Sequence, residues 1–528
     1  MLRKVLFLGI IASWLFLGTI LVSAQTETVV FEKTYHCGSV DVGYYVEPTN
    51  DQGYIITGYT QSSLYVWPNL SDIYTIKTNR YGDTIWTRTY YAYDGTFWDK
   101  SYCVRQTIDG GYIIAGSVIY SPPWLEGWKR GHLIKTDANG NVVWERIFPE
   151  EEIGSCNSVL QTEDGGYIIT GWASRPKPNF ADVALMKTDA NGNPLWAKYF
   201  DSHQETEPNE PPSCEGGYWL EKTTDNGFII AGQRVIRFCP DSVDCSYSYN
   251  YKDDWDVYLI KTDGNGDSLW AQTYGSTKCD VGQFVQQTND GGYIIIGTTL
   301  SESSIPVYVI KTNARGDTLW TRTYGEGSKW KTGNGIRQTN DGGYIITGFI
   351  LPLDETIKKL YLLKINSQGD IEWEQIFDGK GEDACGYSVI QIDNGFAVVG
   401  STANPATGGG DVYLIKTNNE GRITAVSEEN SFSPPKSFAL FQNYPNPFNP
   451  NTTISFDIVK TGEVKLEIYN VLGQRVRVLV DQRVSQGSYT VSWDGRDEKG
   501  TLVASGVYFY KLQINREFSQ TRRMLLLK

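Results

Sequence analysis

The sequence predicts an all-β chain: a ring of seven four-stranded units closed by an N-terminal strand, then a small β-sandwich. Three observations predict it. First, the 528 residues hold 54 Gly, 34 Tyr and 16 Trp but only 3 Met, the vocabulary of strands and tight turns rather than helices. Second, a phrase close to Asp-Gly-Gly-Tyr-Ile-Ile-x-Gly recurs with its Asp at Asp51, Asp109, Asp164, Asp225, Asp290, Asp341 and Asp393. Third, a companion phrase follows, with Trp86, Trp144, Trp196, Trp270, Trp320 and Trp373 in its last strand. Residues Asp256 to Tyr274 show that companion well: an apolar run into Lys-Thr-Asp, a Gly turn, then Leu-Trp.

The N-terminus comes first in order. Arg3 and Lys4 precede an apolar run from Val5 to Val22, and Val22-Ser23-Ala24 offers small residues before Gln25. This is the layout of a secretory signal peptide over 1–24, so the mature chain is expected outside the cytoplasm. The competing reading is an uncleaved anchor, because the apolar run is long enough to span a bilayer.

The repeats occupy 25–423. Each first phrase is a strand, a Gly turn and a second strand; each companion adds a third strand, a second Gly turn and a fourth. Four antiparallel strands in every ~50–65 residues make a propeller blade, and seven of them predict a seven-bladed β-propeller. The seventh repeat lacks its Trp strand. Phe31-Glu32-Lys33-Thr34-Tyr35 matches Trp86-Thr87-Arg88-Thr89-Tyr90, so the N-terminal segment is expected to supply that strand and close the ring. The six Trp are expected to fill the wedges between neighbouring blades. Asp-Ala-Asn-Gly-Asn at 137–141 and 189–193, and Asp263 to Asp267, resemble the start of a calcium loop. They lack the distal Glu and sit where a hairpin needs positive φ, so they read as turns.

Strand order places the short Gly turns on one face and connections of variable length on the other, where binding usually lives. Eight aromatics in or beside those connections are candidate ligand contacts: Trp67, Trp98, Trp124, Trp128, Trp172, Tyr247, Trp255 and Trp330. Equally, they could serve as small cores for the loops. Acids gather there too: Glu150, Glu151, Glu152, Glu205, Glu207, Glu210, Asp241, Asp244, Asp253 and Asp254. They read as a solvated rim, or as a carboxylate pair for glycoside chemistry. Trp219, Glu47, Arg105, Glu221 and Arg337 fall on innermost strands, where the charges approach the central channel or pair.

Of eight Cys, Cys239 and Cys245 bracket one loop and form the best disulfide candidate. With three His and no Cys-x-x-Cys, no metal site is expected. No nucleophile elbow, zincin, P-loop or dinucleotide fingerprint occurs, so no catalytic residue and no cofactor are assigned. The net charge of −14 argues against a nucleic-acid partner.

Residues 424–437 are rich in Ser, Glu and Pro and read as a linker. Beyond it, 438–528 alternates as strands at Thr453–Val459, Glu463–Tyr469, Ser488–Trp493 and Val507–Ile514, a small β-sandwich. From Lys436 onward there are 13 Lys+Arg against 8 Asp+Glu, a basic tail behind an acidic ring.

Two resemblances follow. Asp341 to Gly348 and Tyr258 to Trp270 resemble the repeats of seven-bladed propellers in secreted bacterial proteins, over about 28–424; that likeness implies a fold and no single activity. The Thr-Asp-x-x-Gly-x-x-x-Trp stretch is similar to the tryptophan-docking motif of quinoprotein propellers, but no two cysteines are adjacent, as many of those have near the quinone. In the tail, Tyr444-Pro445-Asn446-Pro447-Phe448-Asn449-Pro450, Tyr469 to Val476, Trp493-Asp494-Gly495 and Ser505 to Tyr510 closely resemble the C-terminal sorting domain of type IX secretion substrates. They also resemble the related immunoglobulin-like domain of flagellar hook-capping proteins. That resemblance implies export through the type IX machinery of a Gram-negative bacterium, to the medium or to attachment at the outer surface, with no membrane integration after signal cleavage. The expected function is a secreted or surface binding protein recognising a glycan or protein through its variable face. A polysaccharide-acting enzyme using loop carboxylates and a non-binding structural surface protein are the alternatives.

Overall fold

A computed structural model describes residues 30–61, 71–92, 98–119, 129–174, 181–200, 215–237, 254–275, 279–299, 304–325, 328–406 and 408–423. In the tail it describes 438–443, 446, 448, 452–484, 487–515 and 518–527. The protein is all-β; a single helical turn, Glu150–Ile153, interrupts the strands among the described residues. No helix there is long and apolar enough to cross a membrane.

The repeats form seven antiparallel four-stranded units, strands in chain order. Unit one runs Val40–Pro48, Tyr54–Gln61, Ser71–Thr78 and Thr84–Tyr90. Units two to six have inner strands Trp98–Gln106, Ser155–Gln161, Gly216–Lys222, Asp280–Gln287 and Ser328–Gln338. Unit seven has Ala384–Ile392, Gly395–Asn404 and Gly409–Thr417, and its fourth strand is Phe31–Tyr35, paired from Phe31↔Lys416 to Tyr35↔Val412. Units three to six are separate sheets; units seven, one and two join through single parallel pairs, Val40↔Gly410 and Ser71↔Trp98. No sheet closes on itself among the described residues. Each inner strand packs against the next, and that of unit seven packs against that of unit one.

The first turn explains the Asp of the repeated phrase. In unit two, Gly110 sits at φ +83°, and Asp109 Oδ1 accepts from the Thr107 hydroxyl and from Gly111 N at 3.1 Å. Lys135, on the third strand and 5% exposed, lies 2.9 Å from Asp109. The same pair recurs as Lys77–Asp51, Lys187–Asp164, Lys261–Asp225, Lys311–Asp290 and Lys364–Asp341. A buried ammonium needs a fixed counter-charge, which is why the Lys of one phrase travels with the Asp of the other. The Thr162 hydroxyl and Lys187 hold the Asp164 carboxyl down at about 2. Burial opposes ionisation at Asp225 and Asp341, yet their Thr, Lys and backbone partners bring both to about 2.

The second turn explains the Trp. Asp137 Oδ1 accepts from Asn139 N and Asn141 N, both at 2.8 Å, so its oxygen is spent on the hairpin. Gly140, at φ +78°, carries the Trp86 ring: a Cβ there would lie 2.9 Å from it. Likewise Trp144 seats on Gly192, Trp196 on Gly266, Trp270 on Gly316, Trp320 on Gly369 and Trp373 on Gly421, each Gly in the next unit. Phe31 does the same to Gly82 of unit one, and its ring lies 6.4 Å from that of Tyr54. The wedge expected of the Trp is therefore a ring-on-glycine contact, with Phe in the Trp place where the termini meet.

The C-terminal region forms two sheets. One holds Ala439–Leu440, Thr452–Ile458 and Gly487–Trp493; the other orders Arg475–Val484, Gly462–Asn470, Gly506–Ile514 and Phe518–Leu526. Strands 439–440, 475–484 and 518–526 add to the four expected. Trp493 is fully buried, with its Nε1 donating to Arg496 O at 2.8 Å. The buried Tyr510 donates to Phe441 O and accepts from Asn443 N, each at 2.7 Å. Arg80, from the second turn of unit one, pairs with Asp457 at 2.9 Å and lies 4.4 Å over the Phe441 ring.

Candidate functional site

All seven inner strands carry a β-bulge at the same place. The register slips between Gly43/Tyr45, Ser101/Cys103, Cys156/Ser158, Gly217/Trp219, Gly282/Phe284, Gly333/Gly335 and Gly386/Ser388. A bulge leaves one residue outside the ladder and re-aims its side chain. The seven residues so released are Tyr44, Tyr102, Asn157, Tyr218, Gln283, Asn334 and Tyr387, and all seven line one cavity of about 360 Å³. The residue before each is small because the neighbouring unit presses on it. A Cβ on Gly43 would lie 2.8 Å from Val399 and Val412, and one on Gly333 would lie 2.6 Å from Ile296 and Val307.

The cavity has a floor. Tyr45, Trp219 and Phe284, next along their strands, are buried, with ring centroids 5.0 Å (Tyr45–Trp219) and 4.5 Å (Trp219–Phe284) apart. Two residues further on lies the charge layer. Arg105 reaches Glu47 at 3.0 Å and Glu221 at 3.7 Å; Arg337 reaches Glu221 at 3.3 Å and the Tyr45 hydroxyl at 3.4 Å. Both guanidiniums lie against the floor rings, Arg105 5.2 Å from Tyr45 and Arg337 4.1 Å from Phe284. The inner-strand charges are thus paired, and they cross-link units one, two, four and six beneath the aromatic layer. Burial pushes the Glu47 carboxyl up against the pull of Arg105.

Around the rim the chemistry is uneven. Tyr44 is 5.1 Å from Tyr387 and 5.8 Å from Tyr102, an aromatic arc on units seven, one and two. Burial pushes the Tyr102 and Tyr387 hydroxyls up, so both stay neutral. Units three to six carry Asn157, Tyr218, Gln283 and Asn334; Asn157 donates to Gly217 O at 2.8 Å and Asn334 to Gly386 O at 2.7 Å, each fixed by the next unit's bulge. No lining residue among those described is ionic.

Of the eight aromatics expected to contact a ligand, Trp255 lines this cavity. Trp98 opens the inner strand of unit two, Trp172 packs over Gly154, and Trp330 is 36% exposed with Lys329 at 5.5 Å; none of these three lines it. Trp67, Trp124, Trp128 and Tyr247 lie outside the described residues, as do Cys239 and Cys245. Cys37, Cys103, Cys156 and Cys385 are free thiols, and burial pushes the Cys385 thiol up to about 11. Glu150, Glu151 and Glu152 form the one helical turn; of the other rim acids only Asp254 falls within the described residues, opening a strand.

One described cluster has metal-ligating composition: His36, Asp41 and Asp411. His36 Nδ1 lies 2.9 Å from Asp411 and 3.6 Å from Asp41. Asp41 also accepts from Cys37 N at 2.7 Å, and Asp411 from Asn404 at 2.9 Å. These bonds pin the crossing from the closing strand to unit one.

Comparison with known proteins adds the following. The family model of the FlgD Ig-like domain matches residues 451–517, so the C-terminal domain is immunoglobulin-like. No curated protein matches the chain. Among solved structures, the chain is similar to PorZ, a surface component of the type IX secretion system of Porphyromonas gingivalis. Identity is 12%, coverage 90% of this chain and 69% of that one, and the TM-score 0.32. It is similar to the polysaccharide lyase Uly1, at 11% identity, 73% and 91% coverage and a TM-score of 0.46. It is also similar to the α-L-arabinofuranosidase Arb93A of Fusarium graminearum, at 11% identity, 60% and 93% coverage and a TM-score of 0.37. All three scores are below 0.5, and no residue or activity is carried over from them.

Proposed function

We propose that this chain is a binding protein of the bacterial exterior whose seven units form a closed seven-bladed β-propeller and whose ligand enters the central cup. The observation that carries the reading is the set of seven bulges, one per unit, whose released residues all line one cavity. A bulge weakens the ladder it interrupts, and seven in register at one level need a use there. Ring closure rests on Phe31, which repeats at the junction of units seven and one the contact each Trp makes elsewhere. In this reading 1–24 is a signal peptide, 25–423 the propeller, 424–437 a linker and 438–528 an export domain for type IX secretion. The ordered tail motifs and the immunoglobulin-like match over 451–517 support that last assignment. A polysaccharide-cleaving role would need a pair of carboxyl groups facing the cup. The described lining has none, and Glu47 and Glu221 beneath it are committed to arginines.

Two experiments test the proposal. Deleting 438–528 is expected to leave the chain in the periplasm; normal appearance of the truncated chain outside the cell refutes the export role. Titrating the purified mature chain with cell-surface glycans and proteins is expected to give a ligand whose binding depends on Tyr44 and Asn334. Turnover of a polymer, lost on replacing an acid, overturns the non-catalytic reading.

A further inference from the structure

We infer that the ligand of the cup is a neutral carbohydrate, an inference that rests on the cup being the ring's binding site. The first ground is the division of the rim. Tyr387, Tyr44 and Tyr102 stand together, with centroids 5.1 and 5.8 Å apart, on one side. The remaining four positions, on units three to six, are Asn157, Tyr218, Gln283 and Asn334, three amides and one further tyrosine. A sugar ring has that same division: an apolar C–H face that lies on an aromatic ring, and a hydroxyl edge that both donates and accepts hydrogen bonds. Amides do both as well, whereas carboxylates only accept and ammonium groups only donate.

The second ground is charge. An anion would need a cation in the lining, and there is none among the described lining residues. Arg105 and Arg337 lie below the aromatic floor and are already paired with Glu47 and Glu221. A cation would be drawn to an aromatic box, but the floor rings are already engaged. Arg105 stands 5.3 Å and Arg337 5.6 Å from the Trp219 centroid, and Arg337 4.1 Å from that of Phe284. A second positive charge above the same rings would meet like charge behind them. The cavity of about 360 Å³ suits a small ligand or the end of a chain rather than a folded partner.

The experiment uses the mature chain, residues 25–528, with three sets of probes. These are neutral oligosaccharides (gluco-, manno-, xylo- and chito-series), oligogalacturonate as the acidic sugar, and choline as the cation. Isothermal titration measures affinity, and tryptophan fluorescence reports on the cup through Trp219 and Trp255. A neutral oligosaccharide is expected to bind, and Tyr44→Ala and Asn334→Ala to weaken it by about tenfold or more each. Tyr44→Phe keeps the ring and is expected to retain most of the affinity, which separates stacking from loss of fold; thermal melts of every variant check the latter. Preference for oligogalacturonate or choline, lost in the same variants, overturns the ligand class and leaves the cup as the site. Binding of a neutral sugar unchanged in both Ala variants overturns the cup itself. No binding by any probe overturns the carbohydrate inference.

Discussion

The two ends of each inner strand behave differently. At the turn end the chemistry repeats: Thr, Asp, Gly and a Lys paired with that Asp recur in six units. At the bulge end the geometry repeats but the residue does not, running Tyr, Tyr, Asn, Tyr, Gln, Asn, Tyr from unit one to unit seven. Sameness at one end marks what those six units share in order to fold. Variation on an unvarying backbone is what the proposed binding of a ligand there would draw on.

The largest expected effect breaks the constant end. Asp225→Ala leaves Lys261, 3% exposed, without its counter-charge and is expected to cost about 3 kcal/mol in denaturant unfolding. Adding Lys261→Met to that variant is expected to restore most of the loss. If the double variant is no better than the single, the Asp acts through the turn rather than through the Lys. At the variable end stability and binding separate: Tyr218→Ala and Gln283→Ala are each expected to shift stability by under about 1 kcal/mol while changing ligand affinity. Large losses of stability there would erase the distinction between the ends.

Acid sharpens the contrast further. Asp164, Asp225 and Asp341 have folded values of about 2, below the ordinary carboxylate value of about 3.9. Their contribution is complete above the unfolded value and is lost as pH falls from about 4 through about 2. Melting temperature is expected to drop over that window, and less so in a variant with the three Asp replaced by Asn. The smallest effect concerns the link between the domains. Arg80→Ala removes the pair with Asp457 and the stacking on Phe441, at a cost of about 1 kcal/mol or less, and is expected to increase proteolysis between ring and tail.

Much of the fold was legible because it is written seven times. The Asp and Trp phrases, the two Gly turns and the Phe31 strand each have a local cause that a single repeat displays. The cup was harder to read. A bulge defeats period-two reading, since the extra residue shifts which side chains share a face. Its signal was present all the same: a residue seven positions ahead of the turn Asp in six units and six ahead in the last, preceded by Gly, Ser or Cys. The expectation looked for surplus Trp on the loops and so reached Trp255 but not Tyr44, Asn157 or Asn334. The pairing of Glu47, Arg105, Glu221 and Arg337 was open in the sequence because the partners come from four different units and meet only in the folded chain.

The closing strand imposes an order in time. Glu32 bonds to Tyr413 across 381 positions, so the first strand made has no partner until the last unit has been synthesised. Six units can build locally, but the seventh waits for both ends of the chain, and contacts this distant slow folding. In the proposed export such a delay is useful: the seventh unit cannot lock until nearly all of the chain is present in one place.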